Sequence, residues 1–104
     1  MPQYGSPNTT TANATGTTSA TATLPATSGG NRWRLKSLIA SGVGSGSLTI
    51  STGKGGAFMG PYAVSGSFVL PNVDIQSPTF DDTMVAALTG ATSGAAVTLV
   101  GALI

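Results

Sequence analysis

The chain has 104 residues, enough for one small domain, and 7% of them are charged: four Lys or Arg against three Asp, for a net charge of +1. That balance gives no electrostatic case for nucleic acid, where a domain pI above ~9 is expected, and no apolar run approaches the ~18 residues of a membrane span. The absence of His, Cys and Glu excludes Ser–His–Asp and Cys–His nucleophiles, His-based metal sites and thiolate metal sites, so neither enzyme chemistry nor a cofactor is expected.

Fifteen glycines and many Ser, Thr and Ala leave little apolar surface to bury, at roughly 25 cal/mol per Å². A fold with so small a core and so little charge suits burial against like subunits, so a homo-oligomer, most plausibly a trimer, is expected. Met1–Gln3 lacks the basic start and apolar core of a signal peptide.

In chain order, residues 1–23 read as a Thr-rich, low-complexity arm with no charge before Arg32. Such a stretch cannot offset its ordering entropy alone, but β-branched Thr favours extended backbone when laid on a partner. Tyr4 is the arm's one large anchor, and Thr9, Thr10 and Thr11 are its candidate contacts. The segment 24–104 then reads as short strands between turn clusters.

Ala20–Leu24 alternates up to Pro25. Asn31–Ser41 is the clearest strand, with Trp33, Leu35, Ser37 and Ile39 assigned to one face and Arg32, Arg34, Lys36 and Leu38 to the other. Gly42–Gly46 reads as a hairpin turn into Ser47–Ser51. Gly53–Gly56 reads as a second turn, into a short strand Ala57–Met59 that Gly60-Pro61 breaks. Ser67–Leu70, Thr83–Thr89 and Ala95–Leu103 complete the set. Asp81-Asp82 would also suit the first turn of a helix over Thr79–Ala91, but that stretch is taken as strand. Strands at this spacing predict an all-β fold, a small antiparallel β-sandwich (jelly-roll-like) with an extended N-terminal arm.

The search for chemistry finds little. Paired-carboxylate catalysis would need two of Asp74, Asp81 and Asp82 across a cleft; adjacent Asp81 and Asp82 point to opposite faces of a strand, and turn formation is the better role for all three. Their spacing fits no Ca²⁺ loop. Neither Gly42–Gly46 nor Gly53–Gly56 has the context of a nucleotide loop. Arg32, Arg34 and Lys36, three of the four basic residues on one strand, form the one concentrated feature. They are the candidate partner surface, able to pair with carboxylates.

Taken together, Leu24-Pro25-Ala26, the basic strand Asn31–Leu38, Leu48-Thr49-Ile50, Gly66-Ser67-Phe68-Val69-Leu70-Pro71 and the terminal strand Ala95–Val100 resemble small virion proteins of tailed bacteriophages. The likeness is greatest to capsid decoration (cement) proteins. It implies a β-sandwich, often trimeric, on the outer surface of the virion head, assembled in the host cytoplasm, with the major capsid protein as partner and the polar arm lacing capsomers together. No nucleic acid or membrane partner is expected. The alternative is a head- or tail-fibre domain that binds a receptor or glycan, for which Tyr62 is the candidate exposed ring.

Overall fold

The structure, a computed structural model, describes residues 9–71 and 73–103. It is all-β: β1 (Thr9–Gly16), β2 (Ala20–Leu24), β3 (Trp33–Thr52), β4 (Gly56–Leu70), β5 (Ile75–Gln76), β6 (Met84–Thr89) and β7 (Ala95–Leu103). All pair antiparallel, in the order β1-β7-β3-β6-β2, with β4 and β5 on the opposite side of β3.

The length of β3 dictates the shape. Twenty strand residues would span about 66 Å if straight, yet the longest extent of the molecule is 43 Å. The strand bends at Gly42–Gly46, where its register with β4 shifts. Its first part pairs with β7 and its second with β6. The neighbours turn at the same level: β1 gives way to β2 after Gly16, β6 to β7 across Gly90–Gly94, and β4 turns beside Gly66. Backbone hydrogen bonds tie these turns across the sheet, from the Ala91 N–H to the Thr18 carbonyl, the Thr92 N–H to the Val43 carbonyl and the Val43 N–H to the Gly94 carbonyl.

One sheet is therefore folded over along a line of small residues, into a nearly closed, barrel-like body. The first layer is β1, β7, the start of β3 and the end of β4; the second is β2, β6, the end of β3 and the start of β4. Leu24, Leu35, Leu38, Leu48, Ile50, Met84, Leu88 and Leu99 fill the space between and are fully buried.

Gly42–Gly46 is thus a bend within one strand and not a hairpin turn. The glycine cluster looks the same in sequence either way, but the flanking segments pair with β7 and β6 and not with each other. Gly60-Pro61 likewise does not end a strand: β4 runs through it with a register irregularity. The faces of β3 differ as well. Lys36 is an extra residue in the ladder, between Leu35↔Gly101 and Ser37↔Val100. A bulge of one residue exchanges inside and outside beyond it. Leu38 is consequently buried, and Ile39, expected inside, is 51% exposed.

A boundary at residue 23 falls inside β2. The Thr-rich stretch from Thr9 onward is part of the sheet, and Ala20, Ala22 and Leu24 belong to its core. Thr on the outer face and Ala on the inner is a strand pattern despite the low complexity.

Candidate functional site

The seven charged side chains collect at the end of the molecule away from the bend, where the connections 25–32, 53–55 and 77–83 lie. There they are occupied with one another and with the backbone. Arg34 Nε lies 2.9 Å from Asp74 Oδ1, and Lys36 Nζ 3.7 Å from the same oxygen. Arg32 donates from Nη2 to Gln76 Oε1 at 2.6 Å and from Nη1 to the Ser77 carbonyl at 3.5 Å, with its guanidinium 4.4 Å over the Phe80 ring. Arg32, Arg34 and Lys36 are thus brought together, and each has a contact within the chain. Pairing with β5 at Arg34 and Leu35 carries Asp74 and Gln76 to them.

The three aspartates do different work. Asp81 holds a left-handed backbone with φ of 52° and accepts the Gly30 N–H at 2.9 Å. Asp82 is buried and accepts the Lys54 N–H at 2.6 Å, the Thr79 hydroxyl at 2.8 Å and the Thr83 N–H at 2.7 Å. Burial pushes the Asp82 carboxyl up, but these hydrogen bonds and the Lys54 charge outweigh it and hold the group below its ordinary value of 3.8. It fastens the β3–β4 turn to the segment before β6. Among the described residues, no three carboxylates, His or Cys come together as a metal cage.

Beyond Lys36 toward the bend, the described strands carry no charge. On the outside of the first layer, cross-strand rows run Asn13–Thr98–Ile39–Val69 and Thr15–Ala96–Ser41–Ser67, and the Thr98 hydroxyl donates to Asn13 Oδ1 at 2.8 Å. Ile39, Val69 and nearby Val43 are each about half exposed. Thr9 and Thr11 extend this outer face along β1, while Thr10 alternates to the other side; all three are exposed. Tyr4 lies outside the described residues. At the bend, Gly16, Gly42, Val43, Gly66, Gly94 and their neighbours line a shallow depression of about 410 Å³ with no titratable group.

The sequence did not disclose the character of β4. Among the described residues, this strand contacts no other strand but β3. Phe58, Met59, Tyr62, Phe68 and Leu70 are only partly buried against the core, and Tyr62 stacks on Phe68 across the bend with ring centroids 5.1 Å apart. The absence of charge from Gly56 to Leu70 was the available signal, obscured because Gly60-Pro61 divided the segment in two. No family model, no curated protein and no solved structure matches the chain.

Proposed function

We propose that the protein is a structural module that docks through its uncharged outer face onto another protein surface, as a capsid decoration protein of a bacteriophage virion does. The observation that carries this reading is the face formed by Asn13, Thr98, Ile39 and Val69 with its flanking Thr and Ser rows. It presents hydroxyls, an amide and half-exposed aliphatic groups, and shares with the centre of protein interfaces the depletion of charged residues. With no charge to desolvate, covering it avoids the largest penalty of interface formation.

The partner is the major capsid protein, with β1 and its Thr9–Thr11 start lying along the contact. Arg32, Arg34 and Lys36 act at the rim, where a capsid carboxylate would compete with Asp74. The glycan-binding alternative needs a presented ring, and Tyr62 is engaged by Phe68.

The test is to add purified protein to heads that lack it, count copies per particle and measure the temperature of rupture. Hundreds of bound copies and a raised rupture temperature are expected. Bare and supplemented heads of equal robustness would overturn the reading. Ile39→Asp, which places a charge in the middle of the face, should reduce binding at least tenfold while the protein stays folded.

A further inference from the structure

The two edges of the folded sheet are unlike. At the β1/β2 edge the inward residues are Ala12, Ala14, Ala20 and Ala22. Small side chains let the layers approach, and β1 packs directly against β2. At the β4 edge the inward residues include Tyr62, Val64, Phe68 and Leu70, and among the described residues no strand lies beyond. Rings from the two layers meet there, Tyr62 on Phe68, and all of these inward residues but Val64 stay partly exposed. Ala12 and Ala14 are partly exposed as well, so the two edges differ in the size of the apolar side chains they present.

An edge strand with unpaired N–H and C=O groups is a template for another chain, and proteins commonly protect such edges with Lys or other charges. The fifteen residues of β4 hold none. Pro61 is their one protecting residue, since it lacks an N–H.

We propose that β4 is covered by β4 of a second copy of this chain, related by a two-fold axis in the interface that passes beside Ser65. The shape of the strand supports this occupant. β4 runs toward the bend in the second layer and away from it in the first. A two-fold axis perpendicular to the fold line, running parallel to the strands between the two layers, therefore brings the incoming half of one copy alongside the outgoing half of the other, antiparallel. Both layers then continue across the contact.

The register is consistent with the core. Centring on Ser65 sets Tyr62 opposite Phe68 and Ala63 opposite Ser67 of the second copy. Residues of the inner face meet inner-face residues, and outer meet outer. Two Tyr62–Phe68 stacks would then form one ring cluster that covers the β4 side of both cores. The ladder extends over Tyr62–Phe68, because Pro61 ends it.

A three-fold ring would join the aromatic β4 edge of one copy to the alanine β1/β2 edge of the next. It would set rings against alanines and leave the rings half covered. The inference goes beyond head decoration and stands or falls apart from it, because it concerns the purified chain alone.

The chain has no cysteine, so single thiols report cleanly. Ser65 is exposed, and Ser65→Cys places two thiols at the axis, where antiparallel Cα separations of about 4.5–5.5 Å suit a disulfide. Mild oxidation of full-length Ser65→Cys should give a covalent dimer, while Thr11→Cys on the opposite edge should not. Sedimentation should show a dimer, and Ser65→Lys should weaken it at least tenfold with an unchanged circular dichroism spectrum. Mixed cross-links between Ser65→Cys and Thr11→Cys would establish head-to-tail pairing and overturn the proposal. A monomer at high micromolar concentration, with no Ser65→Cys dimer, would overturn it too. Loss of head binding with an intact dimer would instead count against the decoration reading alone.

Discussion

Leu24, the last residue of β2, packs against the bare backbone of Gly101 in β7: a Cβ on that glycine would lie 2.5 Å from Leu24 Cδ1 and 3.1 Å from Trp33 Cε3. The contact joins the two layers at the end farthest from the bend. It leaves room for a side chain from one side only.

Gly101→Ala should therefore destabilise the fold by about 1–3 kcal/mol through overpacking, and Leu24→Ala by about 2–5 kcal/mol through the cavity it leaves. Because the two share one space, the double variant should be more stable than the sum of the single losses implies. Urea unfolding of the four proteins measures this, and strict additivity would contradict the packing.

The bend makes a separate demand. Gly66 has φ of 96° and a Cβ there would meet nothing within 4 Å. Gly66→Ala should thus cost about 1–2 kcal/mol from backbone conformation alone. Gly94 has no positive φ and its Cβ would sit 3.6 Å from Val43, so Gly94→Ala should be near neutral. Equal thermal shifts in the two would contradict this account.

Acid should unfold the protein partly through Asp82. Its folded-state pKa lies below the ordinary 3.8, so its contribution is present above the unfolded-state value and is lost as pH falls through the folded one. Asp82→Asn should be less stable than the parent at neutral pH, with the difference shrinking below pH ~4. Thermal melts from pH 7 to 2 would show it, and a constant difference across that range would refute it.

Removal of residues 1–23 should unfold the domain and not simply release an arm. The deletion takes away β1 and all of β2 except Leu24, with Ala20 and Ala22 of the core. A truncated protein with a cooperative melt at the parental temperature would contradict the sheet order.

Much of this architecture is legible from alternation. Ala20–Leu24 reads as a strand because Ala and Thr exchange at every step, and Thr83–Thr89 and Ala95–Leu103 because Met84, Ala86 and Leu88, and Val97 and Leu99, recur at every second position; the structure has strands there. Alternation fails where the ladder is irregular. Lys36 occupies a bulge that no residue type announces, and it reverses the faces of Leu38 and Ile39. Glycine clusters mark a change of direction without saying whether a chain reverses beside itself or bends with its neighbours. The basic row was visible in the sequence, but its contacts with Asp74, Gln76 and Phe80 come from segments about forty residues away.

The pairing of Thr9 with Ala102 has a consequence for the chain as it is made. β1 is made well ahead of its partner β7, so at a synthesis rate of about 5–20 residues per second β1 waits on the order of ten seconds without a mate. A waiting strand rich in Val, Ile or Phe would invite aggregation. One built of Thr, Ala, Asn and Gly stays hydrated, then docks when β7 arrives. The plain composition of Thr9–Gly16 is in this light a property suited to the nascent chain as much as to the finished fold.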